Sequence, residues 1–211
     1  MAELHVINRQ MATRIRGYSI YLLFIFPCSV FAQQDTLVDK EEFKVLYSQR
    51  FQQPLVLWYS SANRPQLVKR KSLDFHQEPG ITTSNNEDYQ YNRYDKGHLA
   101  PAASFSDNRK DLEATFSYLN CALQYDQLNR GQWKQLEEME RRWDDRETLF
   151  IRVDVQVDRS CTQLPTGAVV PQSFRKHIYF TGQHQYRCFE FPNGALPGKW
   201  DSYEVKCTEH Q

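Results

Sequence analysis

The stretch "YDKGHLAPAAS", Tyr94 to Ser104, sets an acid, a cation, a glycine and a histidine side by side ahead of small apolar residues. That order does not read as packing material. A histidine with an ordinary pKa near neutrality can act as a general base, so His98 is a candidate for one. Gly97 beside it permits unusual backbone angles and close approach of a ligand. On these residues alone, a solvated or structural loop histidine is the competing reading.

Downstream, Leu112 to Leu123 is an apolar element with an expected helical start at Asp111. From Asn129 to Trp143 the pattern predicts an amphipathic helix, with Trp133, Leu136, Met139 and Trp143 on one stripe and Glu138, Arg141 and Asp145 away from it. Asn129 and Glu137 are eight residues apart, which at about 100° per residue leaves them about 80° apart around the axis and about 12 Å apart along it. Both flank the apolar stripe, where polar groups can reach into a cleft. Taken by spacing alone, Asn129 reads as a helix cap and Glu137 as a solvated acid.

Elsewhere the chain predicts a short helix or loosely packed arm over Asp35 to Gln53 and a strand from Pro54 to Tyr59. Further strands are expected at Leu149 to Val157 and, after a turn at Val169, up to Phe180. Strands around a helical middle indicate an α+β class.

The 211 residues, 40% hydrophobic and 14% aromatic, suit one domain with an N-terminal extension. Residues 1–32 have the plan of an export signal: a basic run from Met11, the apolar Tyr18–Phe31, and small residues before a cleavage after Ala32. Met11 is then a candidate start. The expected division is a signal at 1–32, an arm at 33–53 and a catalytic domain at 54–211, with a periplasmic or extracellular location and no membrane contact after cleavage. The formal charge of the whole chain is zero, and the chain beyond residue 32 keeps 23 cations and 25 anions. Bulk charge therefore gives no case for nucleic-acid binding, and any such case must come from a local site. Beyond the signal lie Cys121, Cys161, Cys188 and Cys207, an even number that suits disulfides in an exported protein. Cys188 and Cys207 flank a Pro/Gly-rich loop and are the favoured pair. Cys121 lies in an apolar run that also suits a free buried thiol, and no spacing suggests zinc.

Together the motifs resemble a family. "DKGHLAPAAS" is similar to the Asp-Arg-Gly-His motif of the DNA/RNA non-specific endonucleases, the ββα-metal (His-Me finger) nucleases. "YLNCALQYDQLNRGQWKQLEEMER" (Tyr118 to Arg141), "VVPQSFRK" (Val169 to Lys176) and "RKSLDF" (Arg70 to Phe75) resemble its other signatures at matching separations. The likeness runs from Pro54 to Lys176. It implies an antiparallel sheet with a long metal-site helix, and hydrolysis of DNA and RNA with Mg²⁺, or alternatively Mn²⁺, to fragments ending in 5′-phosphates. By the same resemblance His98 is the base that deprotonates the attacking water. Asn129 is the metal ligand, Glu137 orients waters around the metal and Asn120 helps position the site. Lys96, Arg70 and Arg93 meet substrate, Asp95 anchors the loop and Gly97 shapes it. Arg64, Lys69, Lys71 and Arg109 are additional candidate phosphate contacts.

The chain departs from the family pattern where Lys96 replaces an arginine, losing the planar fork that suits phosphate. Leu123 replaces a proline and Arg130 a glutamine, and no Thr-Gly-Pro follows the strand at Ile151 to Val157. The competing class is therefore a nuclease-fold protein of weak or lost activity that binds nucleic acid or envelope components.

Overall fold

The structure is a computed structural model that describes residues 35–207 and the backbone of a small pairing, β1 (Arg14–Ile15) against β2 (Tyr18–Ser19). Apart from that pairing, the expected export signal lies outside the described residues. Residues 33–211 form one compact unit.

Its centre is a seven-stranded antiparallel sheet in the order β11-β10-β9-β8-β5-β4-β3. The strands are β3 (Asp35–Asp39), β4 (Phe43–Ser48), β5 (Gln53–Ser61), β8 (Leu149–Gln156), β9 (Ser173–Phe180), β10 (Gln185–Pro192) and β11 (Glu204–Val205). Alternation decides which face is buried. Phe43, Val45 and Tyr47 of β4, Leu57 and Tyr59 of β5, Leu149, Ile151 and Val153 of β8, and Phe174 and Ile178 of β9 all enter one core. Residues 35–53 are thus not the helix or loose arm that their charge suggested. Phe43, Val45 and Tyr47 recur with period two and bury almost completely, so the segment pairs as a hairpin against β5. The strands expected at Pro54, Leu149 and before Phe180 are present.

Over the buried face lies a second unit made of two strands and a helix. β6 (Tyr94–His98) pairs antiparallel with β7 (Cys121–Tyr125), setting Gly97 opposite Ala122 and His98 opposite Cys121. The expected apolar element at 112–123 therefore divides. α1 (Arg109–Ala114) starts two residues earlier than Asp111, capped where the Asn108 side chain accepts from the Asp111 N–H, and the rest turns into β7.

The long helix is also divided. A short α2 (Asp126–Leu128) leads into a wide π-type turn at Asn129–Trp133, and α3 (Lys134–Trp143) follows. Gly131 makes the break, with φ −106° and ψ −110° inside otherwise helical backbone. Such wide turns cost helical hydrogen bonds and are found mostly at functional sites. Asn129 is not the N-cap that its spacing allowed, because its own backbone is helical. The buried face of α3 is Leu136 and the acid Glu140, continued by Trp133 of the preceding turn, while Met139 stays only partly covered.

Glu140 is fully buried because the sheet supplies its partners. Lys176 of β9, itself wholly buried, donates to Glu140 Oε1 at 2.8 Å, and the Tyr59 hydroxyl donates to Oε2 at 2.6 Å. The Lys176 ammonium also lies 4.2 Å from the centre of the Trp133 ring. Removing one member leaves an uncompensated charge in the core. Lys176→Met should cost about 3–5 kcal/mol in denaturant unfolding, and the Lys176→Met/Glu140→Leu double variant should recover much of it. Equal losses in the single and double variants would show that the pair is not coupled.

Candidate active site

His98 is the last residue of β6, and its ring is wedged between Phe75, 4.7 Å away by centroids, and Phe116, 4.9 Å away and edge-on. Nε2 is buried without a hydrogen-bond partner. Burial first, and the charge of Arg70 second, lower its pKa to about 3. The imidazole is therefore neutral through the physiological range and can accept a proton. Its main chain is fixed as well, because the Trp133 indole donates to the His98 carbonyl at 3.2 Å.

Gly97 is needed for a different reason from the one its neighbours suggested. Its φ is not positive; a Cβ built there would stand 2.4 Å from Gln124 Oε1 and 2.6 Å from Gln124 Cβ on the paired strand. What approaches Gly97 closely is the buried Gln124. Asn120 positions the site from within the core. Its side chain is fully buried and accepts from the Ala100 N–H at 2.7 Å while donating to Ala100 O and Thr115 O at 2.9 Å each. All three bonds go to backbone, so Asn120 pins the chain just after His98.

Asp95 does anchor the site. It accepts from Asn129 Nδ2 at 2.9 Å and takes a two-pronged ion pair from Arg130, at 2.8 and 2.6 Å. A carboxylate can only accept, so this bond settles which end of the Asn129 amide is which and leaves Oδ1 as the free oxygen. Glu137 is the second oxygen donor in reach of the cleft. Burial raises its pKa to about 7, with Glu140 adding to the rise and Lys176 and Arg141 opposing it. Among the described residues no group of three His, Cys, Asp or Glu side chains could hold a metal ion. One amide oxygen with a nearby carboxylate suits a hard cation that keeps most of its water, not zinc.

These side chains meet in one cleft of about 1400 Å³, lined by Asp95, Lys96, His98, Asn129 and Glu137 together with the loop Gln66–Phe75. Its lining holds seven cations, Lys69, Arg70, Lys71, Lys96, Arg130, Lys134 and Arg141, against three carboxylates. The local positive site that bulk charge could not show is here. Arg70, Lys69 and Lys71 are among the residues expected to meet phosphate; Arg64, Arg93 and Arg109 do not line the cleft. Arg93 is engaged by Asp126 at 3.2 Å and lies over Tyr125. Lys96 lines the cleft, but its ammonium is bonded to Asp74 at 2.7 Å and to Asn86, above Phe75 and Tyr118. It works as a strut for the Phe75 wall of the histidine pocket more than as a free phosphate contact.

The residues that the sequence reading missed are on the helix. Arg141 was placed on the far side from the stripe, yet it lines the cleft with Nη1 buried and unpartnered. Its spacing of four from Glu137 was the available signal.

The family model for DNA/RNA non-specific endonucleases matches residues 24–211. The chain belongs to that family. Among curated relatives it is 34% identical over 92 residues to mitochondrial endonuclease G of Bos taurus, covering 40% of this chain and 31% of that protein. The human mitochondrial endonuclease G is 30% identical over 112 residues, covering 50% and 37%. Mitochondrial nuclease EXOG of Danio rerio is 32% identical over 73 residues, covering 33% and 21%. The chain thus aligns with about a third or less of the length of these relatives. A solved structure of an EndoG/EndoGI complex superposes with a TM-score of 0.73 at 22% identity, over 82% of this chain and 81% of that one. The fold is accordingly the ββα-metal nuclease fold, with β6, β7 and the divided helix as its two strands and helix.

Two titrations test the site. The His98 ring should stay neutral by NMR from about pH 8 down to about pH 5, since its value lies near 3. For Glu137 the folded value lies above the ordinary 4.5, so ionisation opposes folding: the penalty is absent below about pH 4.5 and grows as pH rises through about 7. In metal-free protein Glu137→Gln should therefore gain stability over wild type at about pH 8 and none at about pH 4. A constant difference at both pH values would contradict the assignment.

Proposed function

We propose that this chain is an exported, Mg²⁺-dependent endonuclease that hydrolyses phosphodiester bonds of DNA and RNA in the basic cleft. The observation that carries the reading is convergence: His98 from a strand, Asn129 from a wide helical turn and Glu137 from the helix beyond it line one cationic cleft.

Each group then has a task. His98 enters neutral and takes the proton of the attacking water. With Nε2 enclosed, Nδ1 is the nitrogen that receives it. The water oxygen bonds to phosphorus as the bond to the 3′ oxygen breaks, and the 3′ oxygen takes a proton from solvent water, leaving a 3′-hydroxyl and a 5′-phosphate. Asn129 Oδ1, aimed by Asp95, is the protein atom that would hold the divalent cation, which supplies positive charge against the charge developing on the phosphate. Mn²⁺ satisfies the same oxygen donors. Glu137 accepts hydrogen bonds from water beside that position. Arg141 and Arg70 offer donors to the phosphate oxygens, and the buried Arg141 Nη1 gains in the complex the partner it lacks without it. Cations directed at phosphate do not read bases or sugar, which suits action on both nucleic acids.

The disulfide between Cys188 and Cys207 supports maturation in an oxidising compartment, periplasmic or extracellular. Among the described residues no helix is long and apolar enough to cross a membrane.

Purified protein should degrade plasmid DNA and RNA with Mg²⁺ and stop on adding EDTA. His98→Ala should cost about 10²–10⁴-fold in cleavage rate while nucleic-acid binding persists. Wild-type cleavage no faster than that of His98→Ala would sink the catalytic reading and leave a nuclease-fold protein that binds nucleic acid or envelope components.

A further inference from the structure

The face of the sheet turned away from the nuclease cleft carries a second arrangement of reactive groups. Cys188 of β10 is fully buried and bonded to Cys207, just after β11. His177, paired with Cys188 across β9 and β10, sets Nδ1 3.3 Å from the Cys188 sulfur. Its Nε2 lies 2.9 Å from Asp154 Oδ2, and Arg152 Nε donates to the other Asp154 oxygen at 2.7 Å. With Asp154 engaging Nε2, Nδ1 is the ring nitrogen that faces the sulfur. Cys207 and His177 also line a cavity of about 870 Å³ walled by Trp58, Tyr179 and Tyr186. Cys207 thus stands on the wall of the cavity, and the Cys188 sulfur sits beside the His177 ring.

We propose that Cys188–Cys207 is an exchangeable disulfide, opened by a small dithiol entering this cavity, with His177 and Asp154 assisting. One thiolate of the dithiol attacks Cys207 Sγ. The Cys188–Cys207 bond breaks, and its electron pair passes to Cys188 Sγ. The proton given up by the attacking thiol reaches His177 Nδ1, where the imidazolium stabilises the Cys188 thiolate. The second thiol then displaces Cys207, which leaves with its proton as the dithiol closes to a cyclic disulfide. Two electrons have passed from dithiol to protein.

The consequence reaches the nuclease cleft through the strap at residues 193–207. Val205 pairs with Cys188, and the strap packs against the metal helix: Gln132 Nε2 donates to Leu196 O and Gly198 O at 2.9 Å each. Trp200 lies 5.6 Å from Trp143, and its N–H donates to Gln135 at 3.3 Å. Gln132 and Gln135 fall between Asn129 and Glu137 in the chain. Opening the disulfide frees the strap end and loosens the segment that sets the distance between those two residues. This coupling rests on the nuclease reading; the exchange chemistry does not.

The decisive measurement is the rate at which dithiothreitol reduces the folded protein, followed by alkylation and mass spectrometry. His177→Gln should slow reduction about tenfold, and Asp154→Asn should slow it in the same direction, while both oxidised variants keep wild-type circular dichroism and cleavage. Equal reduction rates in wild type and both variants overturn the proposal. Reduced wild type and Cys207→Ser should cleave DNA several-fold more slowly than oxidised wild type, and full activity in both overturns the coupling. Oxidised wild type that cleaves nothing would defeat the nuclease reading, and the reduction rates would still decide the exchange.

Discussion

The basic cleft depends on a charge that never meets solvent. Lys176 lies under α3 with its ammonium shared among Glu140, Tyr59 and the face of Trp133. A lone ammonium or carboxylate at that depth would be prohibitive, so the two exist only by docking α3 on β5 and β9. A purely apolar contact would hold the helix as firmly but let it slide or rotate. Directional bonds from two strands fix its rotation, and rotation determines where Glu137 and Arg141, three and one residues from Glu140, project. Ser61 and Asp144 add another tie at the far end of the helix.

On that base the site is built by constraints of space and polarity more than by flexible loops. Trp133 joins both halves: its ring covers Lys176 while its indole holds the His98 carbonyl. Asn120 closes the segment after His98, and Gln124 fills the space that a side chain at position 97 would need. Asp95 joins β6 to the wide turn through Asn129 and Arg130. Arg130, a departure from the family pattern, thus gives the acid a second bonded partner.

The strands and the fold class were legible because alternation and turn residues are local signals. That His98, Asn129 and Glu137 line one cleft was legible only through the resemblance of the motifs to the family pattern, since by spacing alone Asn129 read as a cap and Glu137 as a solvated acid. The hairpin at 35–48 was hidden because Asp39, Lys40, Glu41 and Glu42 crowd its turn and mask the period-two burial of Phe43, Val45 and Tyr47. The break at Gly131 was hidden for another reason: a helical pattern continues on both sides of it, so periodicity cannot register a one-residue widening. Lys96 and Arg93 were misjudged because composition reports charge but not whether a neighbouring acid already holds it. Arg141 was overlooked because a helix face next to an apolar stripe can be either solvent or cleft, and only the opposite wall at Gln66–Phe75 decides which.

The charge layout has a consequence for how a polyanion is found. The chain beyond residue 32 carries 23 cations against 25 anions, yet its cleft concentrates seven cations. Such a body attracts a polyanion through the local field of the cleft, not through its net charge, and that attraction decays faster with distance. At physiological ionic strength screening sets in within about 8 Å, so beyond that range a polyanion scarcely feels the cleft. Encounter is then governed by diffusion and by the orientation of the cleft at contact, and collisions on other faces end without capture.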